Sequence, residues 1–179
     1  MRYLYTISII FVEMIRKIFF LFSIILLSCD DGNLDTPDFD FSSEIKNCGD
    51  LVLYKIGTTN NNEALILTII GSDFKNVEGT VTLTIGSTRT VTYRVFDDTV
   101  DSNYFCQDVP PTTPTTIQNW TGTGSINITT KEEIDENNIG TGVFTNQINL
   151  INLVLTKDSG ETLSFDDYNF GAYETEITN

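Results

Sequence analysis

The chain has 179 residues, no histidine, and 25 acidic against 10 basic residues, for a formal charge of −15. The missing imidazole excludes Ser-His-Asp and Cys-His catalysis and any His-ligated metal. The negative balance repels nucleic acid and disfavours electrostatic docking on an anionic membrane.

In chain order, Arg16 and Lys17 form a positive start, and Ile18 to Leu27 form an apolar run broken only by Ser23. A bilayer span takes about 20 apolar residues, so this run is too short to cross. It has the size of the apolar region of a secretory signal. Leu26-Leu27-Ser28-Cys29 follows, and then Asp30-Asp31. This order of charge, apolar run, small residue and cysteine resembles the lipobox signal of bacterial lipoproteins. The resemblance implies that residues 1–28 are a signal peptide and that Cys29 is lipidated and becomes the mature N-terminus. Residues 1–13 fit it poorly, because Glu13 would place a carboxylate in an apolar stretch. Met14 reads as the better start, with 1–13 a mis-called upstream extension.

Asp30-Asp31 resembles the acidic export signals of Bacteroidota surface lipoproteins. The abundance of Asn, Thr, Ile and Asp is similar to many flavobacterial chains. Together they imply a protein held by lipid at the outer membrane or cell surface. In enterobacteria an Asp in that place would instead imply inner-membrane retention.

Residues 29–43 read as the lipidated cysteine and an acidic tether, with Phe39 and Phe41 alternating with Asp38 and Asp40 as a candidate first edge strand. Residues 44–179 read as one β domain. After Ser28 there are 24 acidic and 7 basic residues, a balance of −17. Leu51–Ile56 and Ala64–Ile70 are apolar on both faces, as central strands are, and the turn formers Gly57–Asn62 separate them. Val81, Leu83 and Ile85, then Val91, Tyr93 and Val95, alternate with polar residues around Gly86-Ser87, which predicts a hairpin with one wet face. Gly124–Thr130 predicts one strand, between an exposed Pro/Thr loop at Val109–Thr116 and a polar loop at Lys131–Gly140. Gln147–Thr156 and Glu161–Phe165 predict a second hairpin around Lys157–Gly160. Its phase changes at Ile151-Asn152, which predicts a bulge. The sum is an all-β chain: a single antiparallel sandwich or barrel of about seven to nine strands after the signal.

Cys48 and Cys106 remain besides Cys29. In an exported chain they are expected to pair as a disulfide, since two cysteines without histidine make a poor zinc site. Asp97, Asp98 and Asp101 offer hard oxygens to calcium, but they lack an EF-hand spacing and read more plainly as solvated turn charges. Asp98-Thr99-Val100 resembles the short motif on which Bacteroidota envelope proteins carry O-glycans, which makes Thr99 a candidate acceptor. Trp120 and Tyr104 are candidate sugar-stacking aromatics, although aromatics in small β domains generally cap the core. No cofactor motif and no nucleophile elbow appears. The expectation is a non-enzymatic, lipid-anchored envelope protein with a binding or structural role. Its partner would be a protein or glycan at the cell surface. The rival roles are a glycan-binding accessory of polysaccharide uptake, a small hydrolase acting through one specific carboxylate, and an assembly partner of an outer-membrane complex.

Overall fold

A computed structural model describes residues 39–49, 52–107 and 109–177. The expected signal peptide, Cys29 and the acidic residues up to Asp38 lie outside the described residues. The compact unit begins at Phe39, ahead of the expected boundary at 44, because Phe39 and Phe41 are core residues. Phe39 packs against Tyr93, Phe165 and Tyr168 at ring separations of 4.7–5.6 Å.

Among the described residues eight strands form one antiparallel sheet: β1 (Lys46–Cys48), β2 (Val52–Ile56), β3 (Glu63–Thr68), β4 (Gly79–Thr84), β5 (Thr90–Phe96), β6 (Thr116–Ile134), β7 (Gly140–Lys157) and β8 (Thr162–Glu176). The path across the sheet is β1-β2-β3-β5-β6-β7-β8, with β4 paired to β6. The other elements among the described residues are a 3-10 turn, Gly71–Asp73, and a one-turn helix α1, Ser102–Phe105. Among the described residues no helix is long and apolar enough to cross a membrane.

The predicted β4–β5 hairpin does not form. Both strands run antiparallel to β6 and lie end to end along it, with Thr84 opposite Ser125 and Thr92 opposite Thr121. Alternation reports that one face is buried and says nothing about which strand lies alongside. Gly86–Arg89 is therefore a short excursion, held by Gly86 N donating to Arg89 O at 2.7 Å. The predicted Gly124–Thr130 strand is only the middle of β6. Lys131–Ile134, read as loop, continues the ladder against β7.

The β7–β8 hairpin forms as predicted, closed by Gly160 N to Lys157 O at 2.8 Å. The bulge is also present. Thr123 pairs with Val154 but Ser125 with Ile151, so Asn152 and Leu153 oppose the single residue Gly124. Asn152 has φ +49° and Gly124 φ +129°. A side chain on Gly124 would strike the Ile151 and Asn152 carbonyls, so glycine is required there. The extra residue returns Leu153 and Leu155 to the face that holds Ile148 and Leu150, and all four are fully buried.

The sheet curls around one core built from Leu53, Leu65, Leu67, Tyr93, Ile126, Ile128, Ile148 and Leu150. Its outer strands approach through side chains. Ile45 packs over Gly171, and Lys55 reaches across to donate to Phe170 O at 3.0 Å. Burial lowers the Lys55 pKa below its ordinary value. Burial, and then Asp40, push the Tyr168 hydroxyl up to about 12. The outer faces of β2 and β3 carry Tyr54, Ala64 and Ile66, which Phe96 and Val100 cover, together with Tyr104 and Phe105 of α1. This is why those strands read as apolar on both sides.

Residues 69–78 cross from β3 to β4 and are stapled by Asp73. Its carboxylate is 3% exposed and accepts from Ile70 N and, in a two-bond fork, from Arg89 at 2.8 and 2.6 Å. Farther along, Phe74 packs on Tyr173, and Asn76 Oδ1 accepts from Thr175 Oγ1 at 2.7 Å. Replacing Asp73 by Ala is expected to cost about 2 kcal/mol through lost hydrogen bonds. Arg89→Ala should cost more than Asp73→Ala, because it strands a buried carboxylate. The double variant should lose less than the sum of the two singles, as thermal denaturation of the three proteins would show.

Candidate functional site

The pairing of β3 with β5, Glu63 opposite Val95, brings two loops together at one end of the sheet. They are the β2–β3 turn and the segment leaving β5. Their backbones are joined by Phe96 N to Asn62 O at 2.8 Å and Val100 N to Asn61 O at 2.6 Å. The turn is tied to the N-terminal segment by Thr58 N donating to Asp40 O at 3.0 Å. A second bond from the Thr58 hydroxyl reaches the Asp40 carboxylate.

Residues 97–115 form a long loop pinched at its base. Asp97 N donates to Thr115 O at 3.0 Å, Thr115 N donates to the Asp97 carboxylate at 2.8 Å, and the Thr115 hydroxyl adds a short bond to it. Partway along, Asp101 caps α1 by accepting from Asn103 N at 2.9 Å. The loop is then bonded to β1 by the Cys48–Cys106 disulfide, whose Cα atoms are 5.0 Å apart. Tyr54 and Phe105 stack beneath it at 4.3 Å.

Between the two loops lies a polar hollow of about 530 Å³. Thr58 to Asn62 form one wall and Asp97, Asp98 and Thr99 the other. A second hollow of about 390 Å³ shares Thr58 and Asn61 and extends past Asp101 to Glu44 and Lys46. The first hollow, between the two loops, is the candidate groove, and the second borders it at Thr58 and Asn61. Asn62 Oδ1 is shielded from solvent and has no hydrogen-bond partner among the described residues, while its Nδ2 donates to Phe96 O at 3.4 Å.

The candidates read from the sequence divide sharply. Asp97, Asp98 and Thr99 line the first hollow and Asp101 the second. As calcium ligands the three carboxylates do not converge. Asp97 serves Thr115, Asp98 accepts from Thr99 N at 2.7 Å, and Asp101 caps the helix. Among the described residues no three Cys, Asp or Glu side chains gather as a metal cage. The Thr99 side chain is exposed.

Trp120 is not a stacking platform. It is 4% exposed, lies beside Tyr93, and has the Lys157 ammonium 5.5 Å over its ring. An even position on β6 faces the core there, which the loop assigned before it had concealed. Tyr104 is half-buried and packs edge-on against Phe96 at 4.9 Å. Asn60, Asn61 and Asn62 were read only as turn formers, and the groove makes them wall residues.

No protein-family model, curated protein or solved structure matches the chain.

Two outcomes test this geometry. The Thr115 hydroxyl, followed by its amide, holds the Asp97 pKa below 3.8. A depressed carboxylate pKa contributes stability that is fully present above the unfolded value and lost as pH falls through the folded one. NMR titration should therefore place the Asp97 midpoint below 3.8, and Thr115→Ala should raise it. Reduction of Cys48–Cys106, 58 residues apart, removes about 4 kcal/mol of chain constraint. The thermal midpoint should fall by roughly 10 °C, and amide exchange should quicken in 97–107.

Proposed function

We propose that this chain is a lipid-anchored cell-envelope protein, at the outer membrane or cell surface, that works by binding and not by catalysis. The observation that carries the reading is the sequence Arg16-Lys17, the apolar run 18–27, and Ser28-Cys29 followed by Asp30-Asp31. A thiol at that point would carry the diacylglyceryl group, and the acidic pair would direct export to the outer face. Three properties of the folded unit support it. The Cys48–Cys106 disulfide suits an oxidising compartment. The chain has no histidine to act as a general base near neutral pH. The groove between the β2–β3 turn and the 97–101 loop offers hydrogen-bonding groups held in place by backbone bonds, which is what binding needs.

Cells expressing the protein should incorporate radiolabelled palmitate into it, and Cys29→Ser should abolish the label and release the chain from the membrane fraction. An unmodified thiol at Cys29 in the mass of the natural product would overturn the anchoring.

A further inference from the structure

We propose that the groove binds a neutral oligosaccharide; this rests on the binding role above and adds the ligand class. The first argument is the chemistry of the walls. No apolar side chain lines the first hollow. Sites for lipids, aromatic ligands and most cofactors are lined chiefly by apolar groups. A ligand that displaces water here must itself be dense in hydrogen-bonding groups. Asn60 and Asn61 each carry one acceptor and two donors on a planar amide, Thr58 and Thr99 carry hydroxyls, and Asp98 accepts. The vicinal hydroxyls of a sugar ring answer both kinds of group.

Charge narrows the class. Asp97 and Asp98 face one hollow, and Glu44 and Asp101 outnumber Lys46 in the other. A uronate or sulfate polymer would meet like charge in the groove and across the whole acidic unit. Extent allows an oligomer: the first hollow of about 530 Å³ lies within the usual range of small-ligand sites, and the second, of about 390 Å³, borders it at Thr58 and Asn61. The walls are already set by the bonds from Val100 to Asn61 and from Phe96 to Asn62, so little ordering accompanies binding.

The test is affinity electrophoresis of the full-length protein in a zwitterionic detergent, since detergents with sugar head groups would compete. Gels carry a mannan, a xylan, a β-glucan or alginate. At least one neutral polymer should retard the protein, alginate should not, and Asn60→Ala with Asp98→Ala should weaken the retardation at least tenfold. Glu136→Ala, at the far end of the sheet, should leave it unchanged. If Asp98→Ala lowers the thermal midpoint, Asn60→Ala alone decides, because that side chain is exposed. Retardation by none of the neutral polymers, by alginate, or undiminished in the groove variants would overturn the proposal. The palmitate result would stand in every one of those cases.

Discussion

Because β6 runs for nineteen residues, it has room along one edge for two shorter strands in succession while β7 occupies the other. Every other pairing in the sheet is referred to that arrangement. β4 and β5 lie end to end on β6, β5 carries β3, and β3 carries β2 and β1. A strand this long would run straight past a small core. The Gly124–Asn152 bulge bends β6 and β7 together, so that the same ladder wraps the core and still faces it with Ile126, Ile128, Ile148 and Leu150. The length of β6 and the position of its bend decide where the loops at each end gather.

Polar groups inside this sheet are few and mostly paired, as burial requires. Asn146 is fully buried. It accepts from Thr130 Oγ1 at 2.8 Å and donates to Thr175 Oγ1 at 3.0 Å, linking β6, β7 and β8. Thr175 passes the chain of bonds to Asn76, so the loop after the 3-10 turn is fastened to the last strand. Asp73 with Arg89 fastens the same loop to the start of β5. Lys55 uses a backbone carbonyl of β8 in place of a carboxylate, which bridges the outer strands without a buried ion pair. These bonds act where the sheet has no ladder to hold it.

The groove lies at one end of that architecture. Its two walls are 35 or more residues apart in sequence and touch only because β3 and β5 are neighbours. The 97–115 loop would be too long to hold a wall by itself. It is closed at Asp97–Thr115, rooted in the apolar patch by Tyr104 and Phe105, and bonded to β1 through Cys106. One disulfide therefore links stability and the shape of the site.

Residue alternation alone determined that this chain is all-β. It located the β7–β8 hairpin, the bulge at Ile151-Asn152 and the central placing of β2 and β3, because burial on one or both faces is written directly into local pattern. The Cys48–Cys106 pair was legible from cysteine count. Neighbour choice was not legible. β4 and β5 have the pattern of a hairpin, yet each found a better partner in β6, whose polar Thr, Asn and Gln positions disguised both ends of a long strand. Trp120 looked exposed beside the Pro/Thr loop and became core when that strand lengthened. Only the tertiary structure could set Asn60–Asn62 opposite Asp97–Thr99, since strand order is decided by long-range packing that no local period records.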